Sequence, residues 1–496
     1  MVTMVVLGYL GIVLLIGILG HRLFRGTGED YFVASRTIGP FVLLMTLFGT
    51  NMTAFSILGA SGESYHEGIG VFALMGSSSA LVIPFLMYFL GTRLWALGKK
   101  YGYITQVQFF RERYSSDGLG LLLFIVLTLL MIPYLLIGVL GGGLALHDIT
   151  AGQIPAWLGK VLVCTVIFIY VSYGGMRSTS WVNTFQTLVF MTLGATAFFV
   201  ITNKFGGVAG GMQRVAESHP DLLSLGGHIK PLKLLTYTCL PLSLGMFPHV
   251  FMHWLTAKRL RAFRQSIALY PLCIAVVWVP SVVLGVLGTI DYPDLAGPAA
   301  NTILVKLFGL YASDTLGGLL AAGVLAAIMS SLDSQVLAVG TMFSKDIIFH
   351  YGFHDKLSEK QQVVIGRSFV LLVLLCIFLI SQVLNRSIFK IAIWSFTGFA
   401  ALLPIIVAAL FWTRSTKWGA IASVATTVLL WLTFFVHGWT IPDYTIGDTG
   451  VMPVALMVGV SAVVLVVVSV LTSPPDATTI AKFFPNHVAR VDSATN

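Results

Sequence analysis

From Asp314 to Ile347 the chain reads DTLGGLLAAGVLAAIMSSLDSQVLAVGTMFSKDI, and Ser330, Ser331, Asp333 and Ser334 crowd oxygen-bearing side chains into a mostly apolar run. Hydroxyl oxygens combined with backbone carbonyls suit a hard, weakly charged cation such as Na⁺. The plainer alternative is that serines in such helices bond the carbonyl four residues back and coordinate nothing. On a helix with Ser330 at zero and about 100° per residue, Gly323, Ala326, Ala327, Ser334 and Thr341 fall within about 60° of it, with Leu337 the bulky member. Ser331 then lies about 100° to one side and Asp333 about 60° to the other, so one helix offers oxygens in several directions. A carboxylate in a membrane span costs roughly 2.5–3.5 kcal/mol on insertion scales, and such residues mark ion or solute paths or else fasten helices together. Both readings of Asp333 stand open at this point.

The solvent around that run follows from composition. Of 496 residues, 57% are hydrophobic and 10% charged, against about 25% charged in soluble chains, and the mean hydropathy is +0.90. These values describe a polytopic membrane protein in a lipid bilayer. Cys164, Cys239, Cys273 and Cys376 all lie inside hydrophobic runs, which offers neither a disulfide framework nor zinc-ligand spacing. The first apolar run, Val2 to Gly20, has no basic residue before it and no small-residue cleavage site after it, so a retained helix is expected.

Stretches long enough to cross a ~30 Å hydrocarbon core lie near 2–21, 39–62, 70–92, 118–146, 156–173, 180–202, 233–255, 266–289, 312–344, 365–384, 388–412, 417–437 and 450–472, thirteen in all. Under this topology 21 of the 29 Lys and Arg residues fall on one side, including Arg25, Arg36, Lys99, Arg111, Arg113, Lys258, Lys345, Lys356, Arg414, Lys482 and Arg490. The side rich in Lys and Arg is the cytoplasmic one, which places the N-terminus outside and the C-terminus inside a cell membrane. The net charge of +9 expresses this bias and gives no sign of nucleic-acid binding. Nineteen of the twenty acidic residues fall in loops, tails or helix ends, leaving Asp333 alone deep in a span.

Carbonyls become available to an ion where a helix is interrupted. LFGTNMTAFS (47–56) sets Gly49, Thr50 and Asn51 in mid-span, and LSLGMFPHVF (242–251) does the same with Gly245 and Pro248. Breaks at such depth are tolerated where they line a cavity or are buried in protein. They fall in the second and seventh spans, each opening a set of five. Interrupted helices at matching positions of two halves point to an inverted-repeat transporter with its site at the midplane. The solute is expected beside the breaks, near Asn51, Phe55, Tyr134, Ser243, Met246, His249, Trp394 and Phe396.

EDYFVASR (29–36), ITQVQFFRERY (104–114), YGGMRSTSWVNTFQ (173–186), GMFPHVFMHWLTAK (245–258) and AAIMSSLDSQVLAVGTMFSKDI (326–347) together resemble the solute:sodium symporter family, relatives of the proline, pantothenate, sialic-acid and sodium–glucose symporters. The resemblance spans nearly the whole chain. It implies an all-α, LeuT-type core of two inverted five-helix repeats, 39–202 and 233–412, within one transmembrane domain, 1–472. Helix 2–21 precedes the core, two helices within 417–472 follow it, and 473–496 form a cytoplasmic tail. It also implies Na⁺ as coupling ion, held by the carbonyls of Gly49, Met52 and Ala327 and the hydroxyls of Ser330 and Ser331. Some relatives bind a second sodium through an aspartate in the fifth core helix, where this chain has Asn183; Asp333 stands where they have a serine. An inner cation or proton relay of Asp333, Ser330, Ser334 and Asn183 is the functional expectation, and an Asp333–Asn183 fastening bond the structural one.

The sugar transporters of the family rely on Glu, Gln and Asn near the first core helices; NMTAFSILG offers one amide and no carboxylate, so an amino acid or carboxylate is preferred as the small-molecule substrate. A proton-coupled symporter is the nearest alternative. An intramembrane enzyme is disfavoured by the lack of HExxH, G-x-S-x-G or a P-loop. A passive channel would need a continuous polar lining over several helices. Sequence is silent on oligomeric state.

Overall fold

The structure, a computed structural model, describes residues 1–22, 28–224, 229–353, 359–384, 386–441 and 444–485. Of the basic residues counted above, Arg25, Lys356 and Arg490 lie outside the described residues, as does 486–496 of the expected tail.

The chain is almost wholly helical, and among the described residues no β-strand forms. The elements that concern the site are α1 (Val2–Arg22), α2 (Pro40–Asn51), α3 (Phe55–Glu67), α4 (Phe72–Tyr101), α5 (Gln106–Arg113), α6 (Asp117–Ile149), α7 (Ala156–Lys204), α8 (Pro231–Met246), α9 (Pro248–Leu255), α10 (Ala262–Asp291), α11 (Asp314–Gly352), α12 (Val364–Val383), α13 (Ile388–Phe411), α14 (Lys417–Thr440), α15 (Pro453–Leu471) and α16 (Ala477–Phe483). Among the described residues ten helices are long and apolar enough to cross a membrane, or up to twelve if the bent pairs α2–α3 and α8–α9, with bends of 60° and 54°, each count as one span. The 49 residues of α7 would run well over twice the ~30 Å bilayer core at ~1.5 Å each. Gly175 breaks this rod with φ 54° and ψ −154°. The stretches on either side of Gly175, 156–174 and 176–204, are separate helical rods within α7.

Each interruption has a local cause. Pro248 opens α9, and the residue before a proline is pushed to extended backbone; Phe247 duly has φ −68° and ψ 120°. The α2–α3 break has no proline. There Met52 turns extended, with ψ 107°, and the next turn is capped by Thr53, whose Oγ1 accepts from the Phe55 amide at 3.0 Å. Thr53 also accepts on its carbonyl from the Ser56 amide and hydroxyl, at 3.1 and 3.0 Å.

At the centre stands α11, with every residue from 320 to 342 buried. It packs on α1, α2, α6 and α7. Its small residues allow that closeness, while α1, α12, α14 and α15 turn large apolar side chains outward. Aligned with a bilayer, those faces meet lipid. A second acid of this helix is buried as well: Asp346, near the helix end where the sequence reading set it, is fully buried, because α11 continues to Gly352 and α5 covers its last turns.

Candidate functional site

The first interrupted helix meets the unbroken α11 at the C-terminal end of α2, where the last carbonyls are left without helical partners. Ser330 Oγ lies 3.0 Å from the carbonyl oxygen of Gly49 on α2 and 3.0 Å from that of Ala327 on its own helix. Three of the five expected sodium ligands therefore converge at one point. Met52, 2% exposed, forms the adjacent bend. The hydroxyl of Ser331 donates instead to the Ile328 carbonyl at 3.0 Å, within its own helix. Gly49 is required by close approach: a β-carbon there would sit 2.1 Å from Thr187 Oγ1. That hydroxyl donates to the Met45 carbonyl at 3.0 Å and ties α7 to α2.

One turn further along α11 lies a second polar cluster, itself fully enclosed. Asp333 accepts from the Tyr170 hydroxyl at 2.9 Å and from the Ser334 hydroxyl at 3.0 Å. The Asn183 carboxamide donates to Ser334 Oγ at 2.8 Å. His253 Nε2 on α9 lies 3.0 Å from Ser334 Oγ. A hydroxyl has one proton, so at any moment Ser334 donates to one of Asp333, His253 and the Ser330 carbonyl, the last a longer contact of 3.5 Å. Where the proton goes to Asp333, His253 Nε2 keeps its own proton to bond Ser334; where it goes to His253, Asp333 must carry one to do so. Asp333, Ser334 and Asn183 are thus brought together as expected. Tyr170 and His253 went unforeseen, though His253 stands four residues after His249, on the same face of one helix.

Of the residues expected beside the breaks, Asn51, Phe55, Ser243 and Phe396 line one cavity together with Met52, Ser79 and Trp278. Its volume is about 20 Å³, the room of a single water. Phe55 closes it, stacked on Phe389 at 4.7 Å and edge-on to Phe396 at 5.2 Å and Trp278 at 5.5 Å. Asn51 Nδ2 donates to Tyr270 OH at 2.9 Å. Tyr134 and His249 form a second layer, each about 5 Å from Phe247, and Tyr134 also packs edge-on to Phe396. Met246 contributes its carbonyl, which accepts from Gln106 Nε2 at 3.0 Å. Trp394 does not join this group. It faces a separate cavity of about 650 Å³, with Trp431, Phe435, Arg386 and Lys233 among its walls.

The pattern of the Sodium:solute symporter family matches residues 31–426, four-fifths of the chain, including both interrupted helices and all of α11. The chain belongs to that family. It is a multi-pass protein of the cell membrane that moves a small organic solute together with sodium. It is 25% identical over 429 residues to the osmoregulated proline transporter OpuE of Bacillus subtilis (strain 168), covering 84% of this chain and 86% of the relative. It is also 27% identical over 449 residues to a sodium/proline symporter of Haemophilus influenzae, covering 84% and 85%. Among solved structures, a Na⁺-coupled sialic acid symporter in a substrate-bound, outward-open state superposes with a TM-score of 0.80 at 15% identity, over 96% of this chain and 99% of that one. MhsT in complex with L-phenylalanine gives a TM-score of 0.56 at 11% identity, over 86% and 97%. These likenesses bear out the LeuT-type fold.

Proposed function

We propose that the chain works by alternating access, importing an amino acid or another small carboxylate, with sodium held between α2 and α11. The N-terminus lies outside and the C-terminus inside. The observation that carries this is the convergence of Ser330 Oγ with the carbonyls of Gly49 and Ala327 at 3.0 Å each. Met52 O and Ser331 Oγ complete the set once Ser331 turns from Ile328. Five neutral oxygens fit a monovalent cation, because a divalent ion would leave charge uncompensated. Such an ion couples to the solute only by binding one conformation better than the other.

The solute reaches the small cavity bounded by Asn51, Phe55, Ser243 and Phe396 when the rings of Phe55 and Phe396 part, with Tyr134, Met246 and His249 behind it. The half-helix N-termini at the two breaks favour an anionic group there. Proline is the first solute to test, given the relatives that carry it. Asp333, Ser334 and Asn183 form the inner cation or proton site. His253 beside Ser334 favours the proton, since an imidazole nitrogen and a hydroxyl can pass one along. We assign the chain no catalytic step. Radioactive sodium flux into proteoliposomes, with and without L-proline and a panel of carboxylates, tests the reading: no solute-dependent sodium flux with any of them removes symport.

A further inference from the structure

The short helix α5 lies between α4 and α6, outside the spans, yet its first turn is buried. Thr105 caps it, accepting from the Gln108 amide at 3.2 Å, and donates its own proton to Asp346 Oδ1 at 2.9 Å. Arg111 Nη2 donates to the Asp346 carbonyl at 3.2 Å. These bonds fix α5 to the end of α11. Gln106, 1% exposed, points the other way and donates Nε2 to the Met246 carbonyl at 3.0 Å. That carbonyl belongs to the α8–α9 break, where the helix ladder stops and an acceptor is left over. A side chain from a connecting segment thus supplies the donor that the interrupted helix lacks.

The far side of α5 is held by the end of the chain. Lys482 pairs with Glu112, and Tyr101 OH donates to the Lys482 carbonyl at 2.7 Å. Ser115 and Thr479 share a hydrogen bond of 3.2 Å. Phe483 packs against Tyr101 and Phe109 at 6.0 Å each. Arg113, fully buried, lies over the rings of Phe484 and Phe483 at 5.1 and 6.0 Å. It donates Nε to the Ala409 carbonyl and Nη2 to the Trp412 carbonyl, at 2.9 and 3.0 Å. A cation buried this way sits on aromatic faces and carbonyl oxygens in place of water. The helix is therefore clamped between α11, the second break and α16.

We propose that Gln106 is a positioning residue that bolts the second interrupted helix shut on the Lys/Arg-rich side, and that the segment 477–484 keeps the bolt seated. This rests on the alternating-access reading, in which α9 must move against α11 for that side to open. Withdrawing α5 frees the Met246 carbonyl and uncovers the route to Ser243. Seating α5 restores the bond and favours access from the opposite face.

The test uses the full chain in membrane vesicles of both orientations, with Cys164, Cys239, Cys273 and Cys376 changed to alanine and a Ser243→Cys reporter labelled by a membrane-impermeant maleimide. Gln106→Met keeps the volume and removes the bond; Phe483→Ala takes away the ring that α16 lays against Tyr101, Phe109 and Arg113. Gln106→Met is expected to raise labelling from the Lys/Arg-rich face by roughly tenfold, the factor carried by one buried hydrogen bond, and Phe483→Ala to raise it by a smaller factor; both are expected to lower it from the other face. That reciprocity separates a shifted two-state equilibrium from a merely loosened protein, which would label faster from both faces. Labelling unchanged on both faces, or raised on both, overturns the proposal. Should Gln106→Met fail to fold, Phe483→Ala decides by the same two outcomes. The labelling needs neither solute nor sodium, so its failure would leave symport itself untouched.

Discussion

The backbone amide of Lys258, just past α9, donates to the carbonyl of Ile38, just before α2, at 2.9 Å, and the Ile38 amide donates to Thr256 O at 3.0 Å. The start of the first interrupted helix and the end of the second are thereby stitched together by main chain. Sodium between Gly49 and Ser330, as proposed, would join this pair to α11, the most enclosed element, and would sit where the proposed alternating access needs two bodies to part.

Removal of both hydroxyls in Ser330→Ala/Ser331→Ala takes two of the five proposed ligands. Losses of ~1.5–3 kcal/mol correspond to roughly ten- to a hundredfold in affinity, and half-maximal uptake should need that much more sodium. Each single change should do less. Ser381→Ala is the control: its hydroxyl bonds only locally, to Phe378 O and Gln382, on α12. Wild-type sodium dependence in the double variant would put the ion elsewhere.

Gly49→Ala would push its new methyl to within 2.1 Å of Thr187 Oγ1. The hydroxyl must swing away from Met45 or α2 must shift, and sodium affinity falls in either case. Thr187→Ala removes the obstructing atom, so the Gly49→Ala/Thr187→Ala pair should recover part of the loss. A double-mutant cycle on sodium-dependent uptake reads this as a coupling between the sites; strict additivity would separate Thr187 from the ion site.

Asp333→Asn substitutes an amide that can accept from Tyr170 or Ser334 on one oxygen only and must donate on the other side. Insertion and solute binding should persist while turnover slows. Turnover equal to wild type at normal expression would leave Asp333 as a fastening between helices.

Gly285→Ala tests the seat of α3. A β-carbon there would fall 2.2 Å from Ser64 Oγ and 2.3 Å from the Ser61 carbonyl, and backbone cannot yield as a side chain can. Overpacking of this kind costs about 1–3 kcal/mol, so purified protein should melt earlier and more of it aggregate in detergent. An unchanged melting temperature would mean that α3 and α10 separate freely.

Much of this architecture was legible because membrane helices announce themselves by length and their interruptions by glycine and proline. One helical stripe set Ser330 beside Ala327 and one break freed carbonyls near Gly49, but that the two meet was implied by the family resemblance alone. The surroundings of Asp333 were not legible, since Tyr170 and His253 arrive from 163 and 80 residues away and look like ordinary members of apolar runs. Trp394 shows a different failure. It and Phe396 stand two residues apart on α13, about 200° around the helix, and they line different cavities. Gln106 gave no signal at all: a glutamine in a connecting segment is ordinary until its acceptor is seen.

Gly175 also has a consequence for how the protein can be cut. Its backbone turns through φ 54° with Tyr31 so close that a β-carbon would lie 2.6 Å from that ring and from its carbonyl. The turn is buried and joins two spans with no loop between them. Proteases take exposed, unpaired chain, so limited digestion of the native protein should leave 156–204 as one uncut fragment, although the same stretch crosses the bilayer twice in the proposed topology.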